Sequence, residues 1–162
     1  VLGMLLGRGD EEFTAEVERK LDPARVMIAG MSAWTEAEGT ILQQLGIRHT
    51  PAANLADNSQ PVLDWIEAER ITHLAVHFDL DVLDPAHFSP LLFNRPDQPE
   101  GAFDGIVQGT MRLERVVRLL QDVSHACDVV GLGIAEFLPW DMLRLKNALA
   151  SLPLIGRDGT SG

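Results

Sequence analysis

Several things are scarce in this sequence, and each shortage narrows the reading. It holds one cysteine, Cys127, so no disulfide can form within the chain. Beside Asp128-Val129-Val130 that thiol reads as buried and inert, and a chain without disulfides points to a reducing, cytoplasmic setting. Basic residues are few: 13 Lys and Arg stand against 24 Asp and Glu, a net charge of −11, and no window is rich in Lys or Arg. Nucleic acid and anionic membrane both require a basic footprint, so neither is expected as a partner. The acidic surplus suits a small cation or a metal, although solubility alone accounts for it equally well. No apolar run reaches the roughly 18 residues that would span a bilayer. The apolar opening at 1–7 has no basic leader or cleavage site and does not read as a signal peptide. It also has no initiator Met, and a fragment of a longer protein is expected. There is no internal repeat and no interdomain linker.

What remains is an ordinary globular composition, 46% apolar and 23% charged over 162 residues, enough for one domain. The periodicity predicts a helix over 11–20 with Asp10 as N-cap, broken by Asp22-Pro23. A short apolar strand follows at 25–29, ended by Gly30. A helix over 35–45 closes at Gly46, and 47–49 is a short strand. Residues 59–70 read as a helix capped by Asn58 or Ser59, with Pro61 tolerated in its first turn. The clearest strand is 71–78. A helix over 111–126 carries Leu113, Val116, Val117 and Leu120 on one stripe, then come a strand at 129–134 and a helix at 139–149. The domain is taken as 1–155, with a flexible tail at 156–162. Strands alternating with helices predict an α/β fold: a mainly parallel sheet buried on both faces by helices. The Pro-rich stretch 84–109, with Pro85, Pro90, Pro96 and Pro99, is long for a loop and sits where it would wall a site.

The chemistry concentrates where the 71–78 strand ends. His77-Phe78-Asp79-Leu80-Asp81 brings two carboxylates two residues apart, and Asp84-Pro85 stops the strand. Extended geometry would point His77, Asp79 and Asp81 the same way, at the strand end where open α/β sheets bind ligands. Converging carboxylates repel, raise a pKa or take a cation, and hard divalent ions suit them. The bland alternative, of equal weight for a bare Asp-x-Asp, is that both merely cap a turn. Glu136 changes that balance. It ends a second apolar strand, and parallel pairing would set it on the same sheet edge, where three acids are costly to cluster without a cation.

Residues 77–85 resemble the Ser-x-Asp-x-Asp-x-x-Asp-Pro motif of the ureohydrolases, the arginase and agmatinase family, and 131–139 resemble its Gly-Leu-x-x-x-Glu-x-x-Pro segment. Residues 6–10, 26–30 and 45–47 follow in the family's order. The resemblance implies an arginase-like three-layer sandwich, incomplete here, and a homo-oligomer. It implies two Mn²⁺ ions, bridged by Asp79 and bound also by Asp81. Glu136 would face a guanidino or amidino substrate, and a hydroxide bridging the metals would release urea. His77 stands where the family has Ser. The family's upstream histidine segment and Asp-Ala-His-x-Asp motif are absent. Without that central strand, the edges at 26–29 and 73–78 would stay unpaired, and the fragment alone would be inactive. Where arginases hold the amino-acid end of substrate with acids, residues 32–36 run Ser-Ala-Trp-Thr-Glu and Glu38 keeps a carboxylate there, a departure that argues against arginine itself.

Two rival readings stand beside this one. A non-catalytic arginase-like module would bind a partner or complete an oligomer. A haloacid-dehalogenase-type phosphatase would need a hydroxyl on a later strand, and Ile134-Ala135-Glu136 offers none. Of the other histidines, His49, His73 and His125 read as packed or surface residues, while His87 is a possible site-lining residue on the 84–109 stretch. Trp34 and Trp140 are further pocket candidates, with core packing as the default.

Overall fold

The computed structural model describes residues 2–95, 98–138 and 142–154, without the side chains of Leu143 and Arg144. The tail expected at 156–162 lies outside the described residues, as do Pro139 and Trp140.

Local capping chemistry sets most element boundaries. After one turn at Leu2–Leu5 (α1), Asp10 accepts from the Glu12 N–H at 2.9 Å and opens α2, Glu11–Ala15. α2 is half the predicted length. It buries no residue, and its Phe13 is exposed, so no packing extends a helix that is marginal by itself. Asp22 caps a 3₁₀ turn at Pro23–Arg25 that leads into β1, Met27–Met31. β1 runs through Gly30 instead of ending there. Gly30 has φ 89°, and a Cβ on it would meet Val82 and Met111 side chains at 2.7 Å, so glycine is required by both conformation and space. Thr35 and Glu38 form a capping box on α3, Glu36–Leu45, which closes at Gly46 with φ 66°. β2, Arg48–Pro51, follows. Asn58 accepts from the Gln60 N–H at 2.9 Å to start α4, Gln60–Ala68, while Ser59 donates to Asp122 at 2.6 Å. The order is completed by β3 (His73–Asp79), α5 (Leu113–Ala126), β4 (Asp128–Ala135) and α6 (Met142–Leu149).

Pairing is parallel throughout, as alternation predicts, but the strands form two separate pairs, β1–β2 and β3–β4. The α/β architecture is therefore an incomplete sandwich. Its core lies between β3–β4 and the helices α4 and α5. Trp65, Ile66, Val116, Leu120 and Val123 pack with Phe78 and Val129. On α5 the stripe shifts from the predicted one: Leu119 and Val123 are buried and Val117 is half-buried. Arg118 ties α5 to the turn before α4, donating to the Leu55 and Ala56 carbonyls at 2.6 and 3.0 Å.

Two expectations are refined. Among the described residues, helices cover β3 and β4 on one face. Leu74, Val76 and Phe78 turn toward the helices, whereas His73, Ala75 and His77 are exposed and Val130 is 56% exposed. The apolar run misled because Ala75, Gly131 and Gly133 are too small to mark a face as either core or solvent. The 84–109 stretch is also more than a site wall. Phe88, Pro90 and Leu91 are fully buried, and Asn94 donates to the Pro85 and Phe88 carbonyls.

No helix among the described residues is long and apolar enough to cross a membrane. Since Phe88 anchors the stretch in the core, Phe88→Ala is expected to lower stability by about 3–5 kcal/mol in urea denaturation. The exposed Ile106 in the same stretch should tolerate Ile106→Ala within about 0.5 kcal/mol. Equal small effects at both positions would contradict the packing.

Candidate metal centre

The site begins with a strand that stops abruptly. β3 ends at Asp79, and the chain turns into a 3₁₀ helix at Leu80–Val82 with Asp79 as its N-cap, accepting from the Asp81 N–H at 3.5 Å. Leu80 and Leu83 are completely buried. These two anchors hold the turn against the core and leave Asp81 at the surface between them. Asp81 thus leaves the extended geometry that would have aligned it with His77 and Asp79. The turn-capping role is real for Asp79, and it coexists with the acidic pair.

Parallel register brings in the third acid. Asp79 pairs with Ala135, so the next residue, Glu136, stands at the same carboxyl edge. Glu136 has φ 59°, a left-handed conformation uncommon outside glycine and characteristic of functional positions. Asp81 senses both neighbours. Its pKa is pushed up to about 6, first by partial burial, then by the charge of Asp79, a hydrogen bond with Asp79, and the charge of Glu136. Asp81 still reaches solvent, so the repulsion is the part that a bound cation would remove directly.

The donor set is compatible with a divalent ion and incomplete for one. Among the described residues, no three His, Cys, Asp or Glu side chains converge as a metal site. Asp79 and Asp81 supply two hard carboxylates, where Mn²⁺ takes about six donors. His77 lies on the exposed face two residues before Asp79, opposite Gly133. His87 is oriented by another acid: its Nδ1 lies 2.7 Å from Asp84 Oδ2. Asp84 also accepts from the Ala86 N–H at 2.9 Å, and that bond, followed by His87, holds its carboxyl below the usual range.

Glu38 is engaged elsewhere. It accepts from the Thr35 N–H and hydroxyl at 2.8 and 2.9 Å, and these bonds, the backbone one foremost, lower its pKa. Trp34 stacks edge-on against His49 at 5.0 Å and walls an apolar cleft of about 360 Å³ with Leu42 and Ile47. None of the three acids lines that cleft. Trp140, a predicted lining residue, lies outside the described residues. Sequence reading missed Gly109, whose backbone presses on Asp81 and Val82 so closely that any Cβ would collide with their main chain. A lone glycine near the end of a loop gives no hint of what it touches.

No family model and no curated protein matches the sequence. Solved structures do. The Bacillus cereus arginase superposes with a TM-score of 0.72 at 19% identity over 98% of this chain and 54% of its own. For the Bacillus caldovelox arginase the values are 0.70, 19%, 98% and 52%. The formimidoylglutamase of Bacillus subtilis gives 0.57, 14%, 82% and 39%.

The chain has the arginase fold.

It spans about half the length of those arginases. The resemblance carried by 77–85 and 131–139 thus has a structural counterpart at the level of the fold.

The raised pKa of Asp81 has a definite sign. Unfolding returns it from about 6 to the ordinary 3.8, so between those values the native state binds more protons than the unfolded one. The protonated form favours folding, and that advantage is lost as pH rises through 6. Asp81→Asn should therefore raise the Tm at pH 7 and leave it unchanged at pH 4. A variant with a lower Tm at pH 7 would contradict the electrostatic account.

Proposed function

We propose that this chain is part of a metal-dependent hydrolase of the arginase type, cleaving a linear C–N bond in a guanidino or amidino compound and releasing urea from a guanidino one. The observation that carries the reading is the meeting of Asp79, Asp81 and Glu136 at one carboxyl edge of parallel β3–β4 within an arginase fold. Asp79 and Asp81 would hold Mn²⁺, as the resemblance to arginases implies. Bound ions would supply water of lowered pKa and stabilise charge developing on the tetrahedral intermediate. Glu136 is exposed on that edge and free to accept N–H groups of a planar cation, which a carboxylate can do with both oxygens. His87 and His77 remain lining candidates around that centre.

Glu38 drops out as a substrate carboxylate, because its oxygen caps α3. With Ser-Ala-Trp beside it, nothing in 32–38 offers a free acid for an α-ammonium group except Glu36. A substrate without an amino-acid head is therefore favoured over arginine. Two carboxylates leave most of a metal shell to residues beyond this chain, so the isolated chain should be inactive. That shortage also favours a second reading, an arginase-like module that binds a partner without catalysis.

Calorimetry with Mn²⁺ should give weak binding to the isolated chain, abolished by Asp79→Ala. No urea should appear from arginine, agmatine or guanidino acids with Mn²⁺ present. Tight binding of two ions, or clear turnover, would show that the shell is complete within these residues. Weak binding that survives Asp79→Ala would move the metal away from this edge.

A further inference from the structure

The two described tryptophans are held in opposite ways. Trp65 is buried in the core, and its Nε1–H donates to the Ala24 carbonyl at 2.9 Å. Trp34 is 45% exposed, and its Nε1–H has no acceptor among the described residues. Its ring is still fixed from three directions. A Cβ on Gly39 would lie 2.9 Å from both Cδ1 and Nε1, so the indole edge rests on the α3 backbone where only glycine admits it. His49 of β2 meets the ring edge-on at 5.0 Å. The capping box secures the next residue, with Glu38 accepting from the Thr35 N–H at 2.8 Å and from its hydroxyl at 2.9 Å. An indole left half in water forgoes much of the burial that places tryptophan in cores. The chain thus holds a rigid aromatic wall open to solvent.

That wall bounds a cleft of about 360 Å³ between α3 and β2. Buried Leu42 and Ile47 give it apolar surface, while Gln43 and His49 bring polar atoms. Gly46 closes α3 beside it without a side chain, and a Cβ there would meet nothing within 4 Å. The size is near the lower end of the roughly 300–1,000 Å³ typical of small-molecule sites, enough for one or two rings and too little for a helix. No Asp, Glu, Lys or Arg is among the described lining residues, so an ionic ligand would find no counter-charge.

We infer that this cleft binds a small, uncharged, planar ring compound that carries a hydrogen-bonding group, of the chemical class of aromatic amides. The ring lies along Trp34 over Leu42 and Ile47, and its polar group meets the Gln43 amide or the free indole N–H. None of Asp79, Asp81 and Glu136 lines the cleft, so the inference stands independently of the hydrolase reading.

Benzamide is a suitable probe. It is titrated into the protein while the Trp34 indole N–H is followed by NMR, the signal being assigned through Trp34→Phe. A saturable shift with a Kd of about 1 mM is expected. Ligand-observed saturation transfer should show binding weakened at least about tenfold in Trp34→Ala, a change at an exposed position. Gln43→Trp, on the exposed side of α3, fills the cleft while keeping Trp34 and should abolish binding. The inference is overturned by the absence of a saturable shift up to about 20 mM, or by unchanged binding in both variants. Hexanamide binding as well as benzamide would refute the planar class, and tighter binding of benzamidinium or benzoate would refute the uncharged one. An indole shift that follows protein concentration instead of benzamide would make the cleft a contact between copies and sink the ligand site.

Discussion

Everything at the candidate site depends on the parallel ladder between β3 and β4. That ladder runs from His73–Asp128 to Asp79–Ala135 and determines which residues share an edge. Because parallel strands end at the same side, the acid at the end of one strand and the acid just past the other meet there. A one-residue slip would turn side chains to the opposite face, so the register must be held firmly. Phe78, Leu80 and Leu83 hold it, and each is buried within the core. The crossover helix α5 supplies the other side of that grip through Leu113, Val116, Leu120 and Val123.

The same grip explains why like charges are tolerated at the edge. Asp79 and Asp81 stand close because Leu80 is pinned inward between them, and relaxing their repulsion would mean lifting Leu80 out of the core. A fully buried leucine is worth roughly 1.5–3 kcal/mol relative to exposure, enough to outweigh repulsion between partly solvated carboxylates. Glu136, with φ 59°, stands just past the end of β4 on the same edge. Packing therefore maintains an arrangement that electrostatics alone would disperse. A cation is the natural counterweight.

Around this edge the molecule is lopsided. One face of β3–β4 has a complete helical cover and the other has none among the described residues, while β1 and β3 approach without pairing. An unpaired backbone group that becomes buried costs about 1–3 kcal/mol, so strand edges in a sandwich interior are not left vacant. The acidic edge and the unpaired strand edges thus lie in the same part of the molecule.

Much of this was legible from local chemistry. Asp10, Thr35 with Glu38, and Gly46 mark helix ends through bonds made within a few residues, which sequence spacing can reveal. Alternation of strand and helix sufficed for a parallel α/β fold, and the Asp79–Asp81 and Glu136 segments for a likeness to arginases. Tertiary structure decided the rest, because it depends on contacts between residues far apart in the chain. Asp81 left the strand direction because Leu80 and Leu83 were drawn into the core. The Pro-rich stretch joined the core through Phe88 and Leu91, and Gly109 found its purpose against a backbone many residues away. Spacing determines which bonds a residue can make nearby, but burial goes to whichever distant surfaces fit, and no local pattern encodes that choice.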